Sequence, residues 1–146
     1  MTGIDSKKSI TGYAFVMNNA VVSHKSKTQS VIATSTQMAE VIAAASGAAE
    51  GVHLLHICYE LGLPQKCLPL MEDNNACISY VENPIITDAT KHIQVKYHYV
   101  RECVLTGQIK MQRVSSADQH ADVLTKPLAE EPFLRHVKFL LGMAAY

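Results

Sequence analysis

The sequence predicts an α/β domain in which an N-terminal antiparallel meander belongs to a mixed sheet flanked by helices. Three observations support this prediction. Short apolar or alternating runs have the length of strands, longer segments repeat apolar residues at helical spacing, and turn-forming residues separate the two. The order of predicted elements is β-β-β-α-β-α-α-β-α-α. A chain of 146 residues has the length of one ordinary domain, so residues 1–146 are expected to form a single domain.

The N-terminal third is predicted to be the meander. Residues 10–17 alternate loosely and end at Asn18-Asn19, a pair that tolerates the positive φ angles of a hairpin turn. Residues 20–23 resume as a second strand, and residues 30–33 form a third short apolar run. We therefore expect three antiparallel strands before the first helix.

A long helix is expected next, capped by Ser35 or Thr36 and closed by Gly62. Its apolar stripe consists of Met38, Val41, Ile42, Ala45, Ala49, Val52 and Leu55. Glu40 lies off this stripe and next to small residues that would let the helix approach a sheet closely. Glu40 is therefore either directed at the margin of the sheet or an ordinary solvated helix residue.

The apolar run at residues 68–71 predicts a buried strand that stops at two carboxylates, and an amphipathic helix follows at once. In open α/β sheets, functional groups collect at such strand-to-helix turns. Asp73 is either the cap of the helix, a role that Asn74 can also fill, or a metal ligand. Asn83-Pro84 is expected to end this helix.

Thr87 or Asp88 can cap the following helix, which Gly107 ends. Lys91 and His92 lie in its first turns, where they could contact a phosphate. The alternative is that both side chains are simply solvated. The spacing leaves both interpretations open.

The C-terminal region is predicted to contain one more strand and two helices. Residues 108–114 alternate as a strand, and residues 115–118 begin a helix that carries Asp122 one turn in. Lys126-Pro127 breaks the pattern. The last amphipathic helix carries Phe133, Val137, Phe139, Leu140 and Leu141.

Composition gives few functional constraints. The formal net charge is zero, which neither indicates nor excludes a nucleic-acid partner. Four cysteines without Cys-x-x-Cys spacing favour reduced thiols over disulfides. No uninterrupted apolar run approaches about 18 residues and the start lacks the apolar region of a signal peptide. We therefore expect an intracellular, unexported protein that does not associate with a membrane.

Three acidic residues occupy comparable places beside predicted strands: Glu40, Asp73 and Asp122. If the fold gathers them at one edge, their oxygens suit Mg²⁺ or Mn²⁺. Two such ions about 4 Å apart would hold the attacking and leaving oxygens of a phosphodiester displacement. Asp118 lies four residues before Asp122, so the two would repel on one helix face unless a cation intervenes or Asp118 caps the helix. Spacing alone does not decide between this site and unrelated solvated carboxylates.

Five motifs follow one another along the chain: residues 9–13 (SITGY), 23–29 (SHKSKTQ), 33–41 (ATSTQMAEV), 72–76 (EDNNA) and 118–128 (DQHADVLTKPL). Their order resembles the ribonuclease H domain of copia-type retrotransposons. Residues 9–13 (SITGY) and 23–29 (SHKSKTQ) resemble that family's S-T-S-G-Y and S-W-K-S-K-K-Q, and 33–41 (ATSTQMAEV) resembles A-L-S-S-T-E-A-E-Y. Residues 72–76 (EDNNA) resemble C-D-N-Q-S-A, and 118–128 (DQHADVLTKPL) also follows in family order. Shorter matches lie between them at Asn83-Pro84, 90–93, 97–102 and 107–109. The resemblance covers the chain from about Asp5 to Gly142.

This resemblance implies a ribonuclease H-like fold that hydrolyses the RNA strand of an RNA·DNA hybrid during reverse transcription. It implies a catalytic, metal-binding set that includes Glu40, Asp73 and Asp122 and holds two Mg²⁺ (or Mn²⁺) ions. The first Glu of the family's T-E-A-E falls on Met38, a departure that should not matter if Glu40 is the ligand. Weaker candidates for nucleic-acid contacts are Lys25, Lys27, Asn74, Lys91 and His92. Asp118 and His120 are candidate helpers, although His120 is equally interpretable as an ordinary surface histidine.

The family's first strand, which carries the Asp that bridges both metal ions, corresponds to residues before Asp5 and is expected to be absent from this chain. Its absence would leave backbone groups in the sheet to be paired by an upstream reverse-transcriptase segment of the polyprotein, by rearrangement or by self-association. The alternative to an active enzyme is therefore an inactive ribonuclease H-like remnant that binds nucleic acid or a protein. The expected location is the cytoplasm, a virus-like particle or the nucleus.

Overall fold

The structure, a computed structural model, describes residues 8–83 and 94–143. Its strands are β1 (Ile10–Met17), β2 (Ala20–Thr28), β3 (Leu68–Glu72) and β4 (Ile109–Arg113). Its α-helices are α1 (Thr36–Glu60), α2 (Asn75–Glu82), α3 (Gln94–Leu105) and α4 (Glu130–Leu140). The α/β class predicted from the sequence is confirmed at this level.

The chain divides into two compact units. The first unit combines Met1–Thr34 with Ser115–Tyr146, and the second is Ser35–Val114. The expectation of a single domain stays a prediction, and each unit is described by itself below.

The first unit contains the predicted hairpin. Asn18 and Asn19 both adopt positive φ angles (50° and 62°), as a two-residue turn between twisted strands requires. β1 and β2 pair antiparallel, with Ile10 opposite Thr28 and a bulge between Phe15 and Val16. The hairpin is closed by the amide of Gln29, which donates to the carbonyl of Ser9.

The prediction of a third strand in the meander is wrong, because residues 30–33 form no strand. Val31 and Ile32 are instead 39% and 54% exposed. An apolar run becomes a strand only when a neighbouring strand accepts its backbone hydrogen bonds and a covered face takes its side chains. Among the described residues, β1 and β2 form a two-stranded sheet.

The prediction of one helix from residue 115 is also wrong. Two short 3₁₀ helices replace it, at Ser116–Asp118 and His120–Leu124, separated by the non-helical Gln119. The residue before a proline disfavours the helical conformation, so a helix cannot extend through Lys126-Pro127. The second 3₁₀ helix packs against β1 near Gly12.

The second unit is built on α1, whose predicted boundaries are confirmed. The Ser35 hydroxyl accepts a hydrogen bond from the Met38 amide (3.2 Å), and Gly62 adopts φ 73° just beyond the helix. By length and composition alone, α1 would also be able to cross a membrane, a criterion that buried core helices meet as well. Its buried residues are Met38, Ala39, Val41, Ile42, Ala44, Ala45, Gly47, Ala48, Gly51 and Cys58.

β3 and β4 form a parallel pair in the second unit, with Leu68 opposite Ile109 and Glu72 opposite Arg113. The prediction of one mixed sheet is therefore wrong for the described strands, which form two separate two-stranded sheets. Parallel strands need helical crossovers, and α2 and α3 supply that connection. Both helices pack on α1.

The ends of α2 and α3 agree with the sequence where they are described. α2 stops at Glu82 with Asn83 as its C-cap, and Gly107 adopts φ 75° after α3. Tyr97, Val100 and Cys103 form the buried side of α3. The predicted caps Thr87 and Asp88 lie outside the described residues.

Candidate functional site

The turn between β3 and α2 places Asp73 directly after the carboxyl end of a strand. The cap of α2 is Asn74, whose Oδ1 accepts hydrogen bonds from the amides of Ala76 (2.9 Å) and Cys77 (3.2 Å). The alternative in which Asp73 caps this helix is therefore wrong. Asn74, predicted as a weak nucleic-acid contact, has a structural role in the helix start.

Arg113 fixes the backbone of this turn from the neighbouring strand. Its guanidinium donates to the carbonyl oxygen of Asp73 and to that of Val114 (2.6 Å). The amide of Val114 in turn donates to the carbonyl of Glu72 (3.1 Å). The position of Asp73 is thus set by the parallel pairing of β3 with β4.

Glu72 is a buried residue of this turn that sequence reasoning missed. Only 6% of it is exposed, and its Oε1 accepts a hydrogen bond from the Asn74 amide (2.9 Å). Burial raises the pKa of Glu72, and the negative charge of Asp73 raises it further, while the hydrogen bond from the Asn74 amide lowers it. The available signal was strand alternation, since Leu68, Leu70 and Glu72 share one face of β3.

Cys77 connects this turn to Glu40. The Cys77 thiol is fully buried, and burial together with the charges of Glu72 and Glu40 raises its pKa. Glu40, which is half-buried, is therefore close enough to act on a residue in the first turn of α2. Gln37, one turn earlier on α1, donates from Nε2 to the Ala76 carbonyl (3.0 Å). These contacts support the prediction that Glu40 faces the sheet margin.

Asp122 belongs to the first unit, in the second 3₁₀ helix. Its Oδ2 lies 2.7 Å from the Lys126 ammonium, and its side chain is 16% exposed. Asp118 instead accepts a hydrogen bond from the Ser115 hydroxyl (2.6 Å), so it is not the helix cap. The pairing with Lys126 gives Asp122 a cationic neighbour from its own segment.

His120 contacts a second histidine. Its Nδ1 lies 2.9 Å from Nδ1 of His136, and its ring stacks on Phe139 at 3.6 Å between centroids. Burial lowers the pKa of both imidazoles, and the charge of His136 further lowers that of His120. At this separation one ring donates and the other accepts, so at least one histidine is neutral. The sequence did not identify His136, which is 2% exposed on an otherwise apolar stripe.

Of the four basic residues predicted to contact phosphates, two lie in the part of the chain that the structure describes. The Lys25 ammonium lies 5.9 Å from the ring centroid of Tyr13, and Lys27 is exposed. Lys91 and His92 lie outside the described residues. The sequence did not identify Tyr13 as a neighbour of these lysines, although cross-strand pairing in a hairpin indicates it.

The family resemblance predicts a metal site that needs several oxygen donors close together. Within residues 8–83 and 94–143, no three His, Cys, Asp or Glu side chains form a group that could hold a metal ion. Glu40 and Asp73 lie in the second unit and Asp122 in the first.

The fold defines an α/β protein with an acidic strand-to-helix turn, and comparison with known proteins gives its relationships. The chain is 38% identical over 140 residues to the retrovirus-related Pol polyprotein from transposon TNT 1-94 of Nicotiana tabacum, covering 96% of this chain and 10% of that protein. It is 32% identical over 130 residues to each of the Pol polyproteins from transposons RE1 and RE2 of Arabidopsis thaliana, covering 88% of this chain and 9% of each. No protein-family model and no solved structure matches the chain.

The chain therefore belongs to the retrovirus-related Pol polyproteins of copia-type transposons, of which it represents one region. It spans about a tenth of the length of the curated relatives it matches.

Proposed function

We propose that this chain is the ribonuclease H region of a copia-type Pol polyprotein and cleaves the RNA strand of an RNA·DNA hybrid. The observation that carries the proposal is the β3–α2 turn, where Asn74 takes the capping role and Asp73 follows the strand end as a carboxylate. The negative charge of Glu40 contributes to the raised pKa of the Cys77 thiol in the first turn of α2, so Glu40 lies near the same turn. The family order of the surrounding motifs and the relationship to Pol polyproteins support the same function.

The proposed reaction needs a metal site that the described residues do not complete. Glu40, Asp73 and Asp122 are proposed to contribute oxygen ligands for Mg²⁺ or Mn²⁺ once a further segment of the polyprotein is in place. Each described strand pairs with one other strand, and two-stranded sheets are marginally stable alone. An additional strand from the upstream, reverse-transcriptase side, or from a second copy of this chain, would extend these sheets and bring in another carboxylate.

A second candidate function is a catalytically inactive module that holds nucleic acid or a protein. The lack of a metal-binding group among the described residues favours it. Such a module would bind a hybrid with a salt-dependent affinity and would not turn it over.

The test is cleavage of a hybrid labelled on its RNA strand, measured for this chain alone and joined to the polyprotein segment that precedes it. Asp73→Asn should reduce cleavage by about 100-fold or more, because a metal ligand supplies several kcal/mol of transition-state stabilisation. Glu131→Gln removes the same charge from an exposed position on α4 and should leave cleavage unchanged. Equal activity of the wild type and Asp73→Asn would reject the role of Asp73. Binding without cleavage in either form would favour the inactive module.

A further inference from the structure

The helix α4 buries one side in the first unit and leaves the other side exposed. It packs on the second 3₁₀ helix and on β2, and His136, which is 2% exposed, marks its buried side. Leu134 and Lys138 lie two residues before and two residues after His136, so each is turned by about 160° from it around the helix axis. Leu134 is 43% exposed. The helix therefore presents a leucine to solvent near the middle of its outward side.

Residues four positions apart continue this outward side as a ridge. Glu130, Leu134 and Lys138 follow one another at that spacing, and all three are exposed. Together with Glu131 and Arg135 they line an open cavity of about 550 Å³ on the surface of the helix. Ridges of residues four apart are the surface through which two helices most commonly pack. We call Glu130, Leu134 and Lys138 the α4 ridge.

The two charges of the α4 ridge are not neutralised within the part of the chain that the structure describes. Among residues 8–83 and 94–143, neither the Glu130 carboxylate nor the Lys138 ammonium forms an ion pair. Arg135 differs from them, because its guanidinium donates to the carbonyl of Ala117 in the same unit. Glu130 and Lys138 can therefore meet opposite charges on another molecule without giving up an ion pair inside this one.

The order of these charges makes the α4 ridge complementary to itself when a second helix runs antiparallel. Glu130 and Lys138 lie four residues on either side of Leu134, which is about 6 Å along the helix axis. A two-fold axis at Leu134 therefore places Glu130 of each copy level with Lys138 of the other, and it brings the two leucines together. Parallel pairing would align like charges instead.

We propose that two copies of this chain associate through the α4 ridge, with the helices antiparallel and Leu134 at the two-fold axis. Two ion pairs between Glu130 and Lys138, one on each side of the axis, fix the orientation, and the leucines supply the apolar contact. This inference does not depend on the proposed function. It also differs from strand addition, which would use the backbone groups of strands and not the side chains of α4.

The association is expected to be weak. Two helices of 11 residues bury less surface than the roughly 1,600 Å² of a standard stable interface. We therefore expect a Kd on the order of 0.1 mM, which should rise with salt because salt screens exposed ion pairs.

The test is sedimentation equilibrium of the whole chain between about 10 μM and 1 mM. The average mass of the wild type should rise from that of one chain towards that of two. Glu130→Lys and Lys138→Glu, each alone, should raise the Kd by about tenfold, because both symmetric pairs become like-charged. An equimolar mixture of these two variants should associate at least as tightly as the wild type, since opposite charges then meet on both sides of the axis. A damaged fold could not produce that recovery.

The apolar contact is tested by Leu134→Ala, which should also raise the Kd by about tenfold. Leu61→Ala and Lys66→Glu change an exposed leucine and an exposed lysine of the second unit, and they should leave the Kd unchanged. A wild type that stays monomeric at the highest concentration would overturn the inference. So would an unchanged Kd in Glu130→Lys or Leu134→Ala, or a mixture of the two charge variants that associates no more tightly than either variant alone.

Discussion

Asn74, and not Asp73, caps α2, and the substitution Asn74→Ala tests this assignment. The Asn74 carboxamide accepts hydrogen bonds from the amides of Ala76 and Cys77, two of the donors that a helix start leaves without an intrahelical partner. Loss of such a cap costs about 1 kcal/mol of unfolding free energy. Cys77 is fully buried, so its amide cannot readily turn to water instead, and the cost should approach about 2 kcal/mol.

The measurement is urea denaturation of the wild type and of matched variants, followed by far-ultraviolet circular dichroism. Asn74→Asp keeps an acceptor oxygen, so it should lower the unfolding free energy by only about 0.3 kcal/mol. Asp73→Asn should change the unfolding free energy by less than about 0.5 kcal/mol, since Asp73 does not cap the helix. If Asp73→Asn destabilised the chain as much as Asn74→Ala, Asp73 would be the cap and the reasoning about the turn would be refuted.

Two further predictions concern Glu72 and Gly12. Because burial raises the pKa of Glu72, its contribution to stability is present below the unfolded pKa, near 4.5, and is lost as pH rises through the folded value. Glu72→Gln stays neutral at every pH and keeps an acceptor for the Asn74 amide. The unfolding free energy of this variant, measured by urea denaturation, should therefore rise relative to that of the wild type between about pH 4 and 8. A difference in unfolding free energy that stays constant with pH would contradict this prediction. Gly12→Ala should cost about 1–3 kcal/mol, because the new methyl group meets Thr125 Cγ2, and adding Thr125→Ser, which removes that atom, should restore much of the loss in thermal denaturation. Destabilisation that persists in the double variant would show that the contact with Thr125 is not its cause.

Features with a local physical signal could be predicted from the sequence. Ser35 and Gly62 bound α1 because a hydroxyl acceptor and a residue tolerant of positive φ are what the two ends of a helix need. Asn18-Asn19 predicted the hairpin because both residues tolerate the positive φ angles of its turn. The strand-end position of Asp73 followed from an apolar run that stops at carboxylates.

Features that depend on distant neighbours could not be predicted. The apolar run at residues 30–33 looks like a strand, but a strand requires a partner that the run itself does not encode. The pair of His120 with His136 joins two segments of the first unit and has no signature in spacing. Glu72 was overlooked because its neighbour Asp73 matches the family motif, although strand parity places Glu72 in the interior.

The comparison of RNA strands in two duplexes tests the central claim most directly. The same end-labelled RNA is annealed to DNA or to RNA and incubated in Mg²⁺ with the chain joined to its preceding polyprotein segment. The proposed function predicts that the RNA is shortened in the RNA·DNA hybrid and stays intact in the RNA duplex. RNA that stays intact in the hybrid, or is cut equally in both duplexes, would contradict it.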